Sequence, residues 1–475
     1  MDKATVKKYN YWQWRTLIIL MIGYALFYFV RKNFSIAMPA LEAELGLSKT
    51  QLGIFLTLNG VIYGVSRFIN GMLADRYSRK RMMAMGLLLS AIVNIAIGFI
   101  PAVNGFFNVL DAGGKATIGF VYILGSLWLI NGYLQGMGYP PCSSLMAHWI
   151  KPSELATKQS IWNASHSIGA GLLALMIGGI LGAFGNSAWQ WCFWAPAVLA
   201  VFGAALIFFG LKDTPASVGL PNPEDMDAHK ADSAPAAEED PEFTKLAYKK
   251  FVSKMAFGNP IIWIIAVADF FVYVIRFTIL DWGSTILVQD KGLDITLAAS
   301  IVGACEIVGG IVGMLFAGWA TDKFFKSKAQ CTSAICTIMA VVCLFVFWQV
   351  KDIPWLFIAM LVMSAFFIYG PQALLGIAAS NQATKRAAAT ANGIVGIVCY
   401  LSPIVSGAVF GLIADNPELG WNGVYIAAIA MGIVGAVLLA LLWNKPADGY
   451  AKAEKLLEEV KAEYEATRRA PEQLR

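Results

Sequence analysis

Apolar windows about 20 residues long, enough to cross a bilayer, recur from one end of this chain to the other. Twelve can be drawn, at residues 14–38, 51–74, 82–101, 117–147, 156–184, 188–210, 259–289, 295–320, 330–350, 353–379, 386–414 and 421–444. Lipid offers no partner for backbone N–H and C=O groups, so each window is predicted to be a helix. A polar stretch at 211–258 leaves six windows on either side. Within it, PNPEDMDAHKADSAPAAEEDPEF is rich in Pro, Ala and acids and cannot bury a core. The expected fold is an all-α membrane protein of twelve transmembrane helices in two six-helix bundles. Residues 1–210 and 259–444 would form the bundles, 211–258 a flexible cytoplasmic linker, and 445–475 a cytoplasmic tail. The tail's YAKAEKLLEEVKAEYEATRR is expected to be an amphipathic helix on the membrane surface or in solution.

Composition agrees: 58% of the 475 residues are hydrophobic and 14% charged, against about half and a quarter in soluble domains. A cleaved signal peptide is not expected, since the first window is too long, holds Arg31-Lys32 and is followed by eleven more. The seven cysteines show neither metal-ligand spacing nor a disulfide framework. No nucleophile–base pair, metal cluster or nucleotide loop is visible, so neither enzyme nor cofactor is expected.

Charge fixes the orientation. Of 36 Lys and Arg, only Lys49, Lys115, Lys291 and Lys351 fall in the odd-numbered loops, and Arg31, Lys32, Arg67 and Arg276 fall within spans. The other 28 lie in the termini and even-numbered loops, so both termini are expected in the cytoplasm. Such juxtamembrane charge does not suit nucleic-acid binding.

The halves also repeat. GMLADR (Gly71–Arg76) ends the second span and GWATDK (Gly318–Lys323) the eighth, both G-x-x-x-D-[RK]. Arg31 precedes Gly71 by 40 residues, and Arg276 precedes Gly318 by 42. GYPP at Gly138–Pro141 answers YGP at Tyr369–Pro371, and Asn163 answers Asn392. A parallel six-plus-six repeat is the arrangement of major-facilitator transporters. The glycines would permit close helix contact. Asp75, Arg76, Asp322 and Lys323 would form gating ion pairs at the cytoplasmic ends.

A charge inside a membrane span marks a functional site by default. Arg31 and Arg276, at corresponding places in the two halves, therefore suggest one cationic pocket, and the guanidinium fork suits a phosphate or carboxylate. Lys32 points about 100° from Arg31 around a helix, toward an interfacial or structural partner. Arg67 lies mid-span with Tyr63 one turn earlier. Tyr28 and Tyr273 each stand three residues before their arginine, placed either to bond an anion or to pack. Asp269 and Glu306 either balance the arginines' charge, the reading adopted here, or couple protons. Asp281 is read as structural, near the extracellular end. Gly136, Gly138, Pro140, Pro141, Gly370 and Pro371 would bend or pack spans four and ten.

GYALFYFVRKNFSIAMP, YGVSRFINGMLADR, LQGMGYPPCSSLMAHW, WNASHSIGAG, FVYVIRFTILDWG, GWATDKFF and YGPQALLGIAA together resemble the organophosphate:phosphate antiporter family of the major facilitator superfamily. The resemblance is close to full length. It implies a carrier that exchanges an organic phosphate, hexose 6-phosphate or glycerol 3-phosphate, for inorganic phosphate. In the family the span-one and span-seven arginines, here Arg31 and Arg276, grip the phosphoryl group. The resemblance places His166, with Asn163 one turn before it, at the family's span-five histidine, and Arg67 at a span-two basic residue that is often lysine. It also implies a monomer in a bacterial inner membrane. Two alternatives stay open: a sugar-phosphate sensor signalling to a partner, and a proton-coupled symporter using Asp269 or Glu306.

Overall fold

The structure is a computed structural model that describes residues 3–74, 77–223 and 241–469. Those residues are almost wholly helical, and the β pairing among them is a single bridge between Leu110 and Ala116. Twelve helical stretches are long and apolar enough to cross a membrane: Lys3–Leu45, Lys49–Gly71, Arg79–Gly98, Ile118–Trp149, Thr157–Phe184, Asn186–Gly210, Pro260–Asp281, Ile295–Phe325, Ala329–Gln349, Pro354–Thr384, Arg386–Asp415 and Gly420–Leu441. They are called spans 1 to 12 below. Phe202, Phe209, Leu315, Ile397 and Val437 point outward, each more than half exposed. Hydrocarbon is the solvent such a surface suits.

Three spans break where polar side chains can hold the freed backbone. Span 1 is helical over Lys3–Phe29 and again over Asn33–Leu45. At the break, the Val30 carbonyl accepts from the Asn94 and Asn131 side-chain amides at 3.2 and 2.9 Å, and Asn33 donates to Asn94 at 2.8 Å. Buried carbonyls require such partners, and here spans 3 and 4 supply them. Span 4 breaks between Gln135 and Tyr139, at the expected glycines. Span 11 breaks at Tyr400 and Leu401, just before Pro403. Pro371, by contrast, sits inside continuous helix, and the non-helical residue beyond it is Thr384, at φ 59°.

The first six spans meet the last six along two seams. In one, span 2 packs on span 11: a Cβ on Gly53 would lie 2.3 Å from the Gly407 carbonyl oxygen, and one on Gly407 would lie 2.6 Å from that of Gly53. Thr57 donates to the Pro403 carbonyl at 2.6 Å. Asp415 caps the start of span 2, accepting from the Lys49 and Thr50 amides at 3.1 and 2.6 Å. In the other, span 5 packs on span 8, with Thr296 donating to the Gly178 carbonyl at 3.1 Å. Both seams run toward the face that carries the odd-numbered loops. Toward the opposite face, Gly71, Gly318, Gly393 and Gly396 have nothing within 4 Å of their Cβ positions beyond their own helices. The close contact expected at Gly71 and Gly318 is therefore absent. Among the described residues, the glycines that bring the halves into contact lie at the two seams instead.

Gly53→Ala is expected to wedge the span 2–span 11 seam, because the obstacle is backbone and cannot rotate away. Overpacking of about 1–3 kcal/mol would shift the closed arrangement roughly 5- to 150-fold toward opening at the odd-loop face. A Leu56→Cys probe, in a chain whose seven cysteines are all buried, should then label faster from that side with an impermeant thiol reagent.

The expected flexible linker is shorter than 211–258. Pro241–Phe251 is helical and continues as a π-helical turn over Val252–Phe257. Ala247, Phe251, Met255 and Ala256 of this segment are buried. The tail Tyr450–Arg469 is helical, as expected, and it packs on the linker helix. Its apolar face of Ala453, Leu456 and Val460 is buried, Phe243 meets Tyr464 edge-on, and Lys250 and Lys254 pair with Glu463 and Glu459 at 2.8 Å. The Gly449 amide donates to the Asn381 carbonyl at 3.1 Å, fastening the tail to the turn between spans 10 and 11. The apolar stripe that a membrane surface would have taken is used by the linker helix instead.

Candidate functional site

The break in span 1 frees Arg31 from helical register. Its guanidinium lies over the Tyr63 ring, 3.7 Å from the centroid, with Tyr28 at 5.3 Å. Tyr63 stacks edge-on with Tyr400 of span 11 at 5.4 Å. One turn beyond Tyr63, Arg67 covers the Tyr139 ring at 3.8 Å and comes within 3.5 Å of the Tyr400 hydroxyl. The side chains packed against both guanidiniums are tyrosines, neutral phenols. Cation–π contact holds them without cancelling their charge.

Arg276 comes from the other half and is treated differently. It is 5% exposed on span 7. Its Nη2 donates to the Tyr369 hydroxyl at 3.4 Å, and that hydroxyl donates to Oε2 of Glu306. Glu306 opens a π-helical turn, Cys305–Gly313, in which Gly309 lets the Tyr369 ring approach span 8. π-Helical turns of this kind are frequent at functional sites. Nε of Arg276 has no protein partner. Tyr28 and His166 each lie near both Arg31 and Arg276, so the two arginines share one tyrosine-rich cluster between the halves, called the chamber below.

The other expected residues fall into three groups. His166 is in the chamber, its ring 5.4 Å from Tyr28. Nδ1 donates to the Asn163 carbonyl and Nε2 faces the Ser167 hydroxyl at 3.2 Å, so both ring nitrogens have local partners. Asn163 is half-buried on the same helix, and Tyr273 packs between Phe277 and Tyr400. Asp269 lies two turns before Arg276 and is 3% exposed, outside the Arg276–Tyr369–Glu306 chain. Asp322 and Lys323 are exposed at the end of span 8. Asp322 accepts from Ser327 at 2.9 Å and Lys323 covers the Trp319 ring, so among the described residues this pair's contacts stay within the second half. Asp75 and Arg76 lie outside the described residues.

The roof of the chamber was less visible in the sequence. Lys32 and Asp281, which are 249 positions apart, form an ion pair at 2.5 Å between the halves. Ser35 also donates to Asp281, at 3.0 Å. Both charged side chains are nearly buried, and they line a small cavity with Arg31, Asn59, Phe277 and Tyr400. Tyr139, Tyr369 and Tyr400 were likewise not singled out as site residues. Position is the sequence signal for two of them: Tyr139 adjoins Gly138 and Pro140, and Tyr369 adjoins Gly370, whereas Tyr400 stands three residues before Pro403.

Against known proteins, the Major Facilitator Superfamily model matches residues 20–407. The chain is 36% identical over 432 residues to a glycerol-3-phosphate transporter of Bacillus subtilis, covering 90% of this chain and 92% of that one. It is 32% identical over 452 residues to a probable hexose phosphate transport protein of Chlamydia trachomatis, covering 93% and 94%. It is 30% identical over 437 residues to the membrane sensor protein UhpC of Escherichia coli, covering 92% and 93%. Among solved structures, a D-xylose-proton symporter superposes with TM-score 0.70 at 14% identity, over 91% of this chain and 98% of that one. A bacterial Spinster homologue in an inward-facing, unoccupied conformation superposes with TM-score 0.65 at 14% identity, over 94% and 98%. These likenesses establish the fold, and with the twelve apolar spans they make this an integral, multi-pass membrane protein of a transporter family, not an enzyme.

Proposed function

We propose, since the chain belongs to the Major Facilitator Superfamily and within it to the organophosphate:phosphate antiporter family, that it exchanges a phosphorylated metabolite for inorganic phosphate by alternating access. Hexose 6-phosphate is the first candidate and glycerol 3-phosphate the second, following the names of the relatives. One observation carries the reading: an arginine from each half faces the same tyrosine-lined chamber, within reach of Tyr28 and His166.

A phosphate dianion bridging Arg31 and Arg276 takes charge-assisted bonds from both halves and draws them together. Without it, like-charged guanidiniums repel and resist leaving water, so the unloaded carrier reorients poorly and exchange exceeds net flux. Arg67, Tyr63, Tyr28, Asn163, His166 and Tyr273 complete the wall, and Glu306 balances Arg276 through Tyr369. The bundles 1–210 and 259–444 rock about this site, and Asp75, Arg76, Asp322 and Lys323 latch the cytoplasmic end when it closes. With both termini in the cytoplasm of a bacterial cell, the conformation described here opens inward. The protein works as a monomer in the inner membrane.

The test is counterflow in proteoliposomes loaded with inorganic phosphate. Labelled phosphate should enter, and glucose 6-phosphate, glycerol 3-phosphate and 3-phosphoglycerate offered outside should compete unequally, the best competitor naming the substrate. The sensor relative supports a second reading: no flux, with a sugar phosphate still binding and stabilising the protein.

A further inference from the structure

Two acids are buried near Arg276, and the structure separates their roles. Glu306 is tied to the arginine through the Tyr369 hydroxyl. Asp269 is not: it is 3% exposed, and its Oδ1 has no hydrogen-bond partner. The titratable groups that face it are the Cys399 thiol of span 11 and, on its own helix, Tyr273 and Arg276. Tyr400, beside Tyr273, continues the line of hydroxyls to the chamber. Span 12, which also packs on this helix, presents Gly435 to Phe271. Asp269 thus lies mid-span among a thiol and a phenol, two turns, about 10 Å, from Arg276. A lone carboxylate charge is poorly accommodated there, whereas a carboxylic acid is not.

We propose that Asp269 is a proton site whose loading follows that of the anion at Arg276. The inference rests on the antiport reading and adds a second cargo to it. While the arginines hold no anion, their positive charge favours the ionised carboxylate. Once a dianion offsets that charge, Asp269 takes a proton from the compartment the chamber faces. The loaded carrier then crosses with this carboxyl neutral. Release on the far side reverses both events. The sole bond made and broken is the carboxyl O–H, and the proton moves with the anion. Tyr273 and Cys399 provide a short relay between the carboxyl and the chamber.

The test compares Asp269→Asn with the wild type in phosphate-loaded proteoliposomes, reading phosphate–phosphate exchange at equal internal and external pH. The ionisation of phosphate itself cancels in the ratio of the two rates. Asparagine mimics the protonated acid. The variant-to-wild-type ratio should therefore be near one in acid and rise roughly tenfold per pH unit once Asp269 titrates. Asp269→Glu should restore a pH-dependent rate. A ratio that stays constant with pH overturns the proposal. So does a thermal midpoint for Asp269→Asn that is lowered in saturating phosphate, where the proposal has the carboxyl protonated and its replacement by an amide should cost nothing. If the wild type exchanges no phosphate, the antiport reading fails. The same ratio, taken from phosphate-induced thermal stabilisation in detergent, still decides whether Asp269 titrates with the anion.

Discussion

Replacing Arg276 with lysine is expected to cut phosphate counterflow by about two orders of magnitude, roughly 3 kcal/mol of anion binding, while the protein still folds and reaches the membrane. Lysine keeps the positive charge opposite Glu306, so the buried acid is not stranded and the fold has no reason to fail. What disappears is geometry. The guanidinium uses Nη2 on Tyr369, and its Nε has no protein partner. It can therefore stay tethered to Tyr369 while presenting other N–H groups to a phosphoryl oxygen. An ammonium is a single point charge on a flexible stem and cannot do both. Arg31→Lys should cost as much for a related reason, because the planar group that lies on Tyr63 is lost along with the fork. Arg67→Lys is expected to be milder, since Arg67 mainly covers Tyr139. Near-normal counterflow in Arg276→Lys, with an unchanged thermal midpoint, would remove the bridging mechanism.

The fold was legible because lipid permits so few solutions. An apolar stretch of some 20 residues must be helical, and all twelve expected spans have a counterpart among the observed ones. The family was legible for another reason: segments such as YFVRKNF and VIRFTILDW carry rare charges in an apolar setting. The breaks were not legible. Nothing local marks Val30–Lys32 as non-helical; the break depends on Asn94 and Asn131, which reach it from two other spans. The contact glycines were also misplaced. G-x-x-x-D-[RK] drew notice to Gly71 and Gly318, yet the halves touch at Gly53, Gly178 and Gly407, whose spacing resembles any small-residue helix face.

Chemical asymmetry was the least legible feature of the candidate site. In the sequence, Arg31 and Arg276 look like copies. In space, Arg31 rests on aromatic rings, whereas Arg276 is joined through a tyrosine hydroxyl to a carboxylate. The difference depends on Glu306 and Tyr369, which are 63 positions apart on neighbouring helices. Spacing alone could not have distinguished Glu306 from Asp269 as the acid attached to that chain. The surroundings of the anion are thus softer on one side and more tightly hydrogen-bonded on the other. On the bridging reading proposed above, the first half would let a phosphate go without disturbing any acid, while the second half would exchange one partner for another.

Truncating Lys32 to alanine is expected to unlatch the odd-loop end of the molecule. Its ammonium and the Asp281 carboxylate are nearly buried and belong to different halves. Removing one member of such a pair leaves the other charged, dry and unpaired, at about 3–5 kcal/mol. Ser35 can return only part of that through its single hydroxyl. The cost falls on the closed arrangement alone, because opening lets Asp281 reach water. The equilibrium should therefore shift by two orders of magnitude or more, at roughly tenfold per 1.4 kcal/mol, and Leu56→Cys should become reactive from the odd-loop side. Asp281→Asn should act more weakly, since an ammonium on a four-carbon stem can reorient toward the Phe277 ring, already 5.3 Å away. The exchanged pair Lys32→Asp with Asp281→Lys should recover closure only in part. It places the carboxylate beside Arg31, which would compete for it, and separates Ser35 from its acceptor. If Lys32→Ala labels no faster than the parent, the pair is an ornament of the closed state and the glycine seams alone hold that end shut.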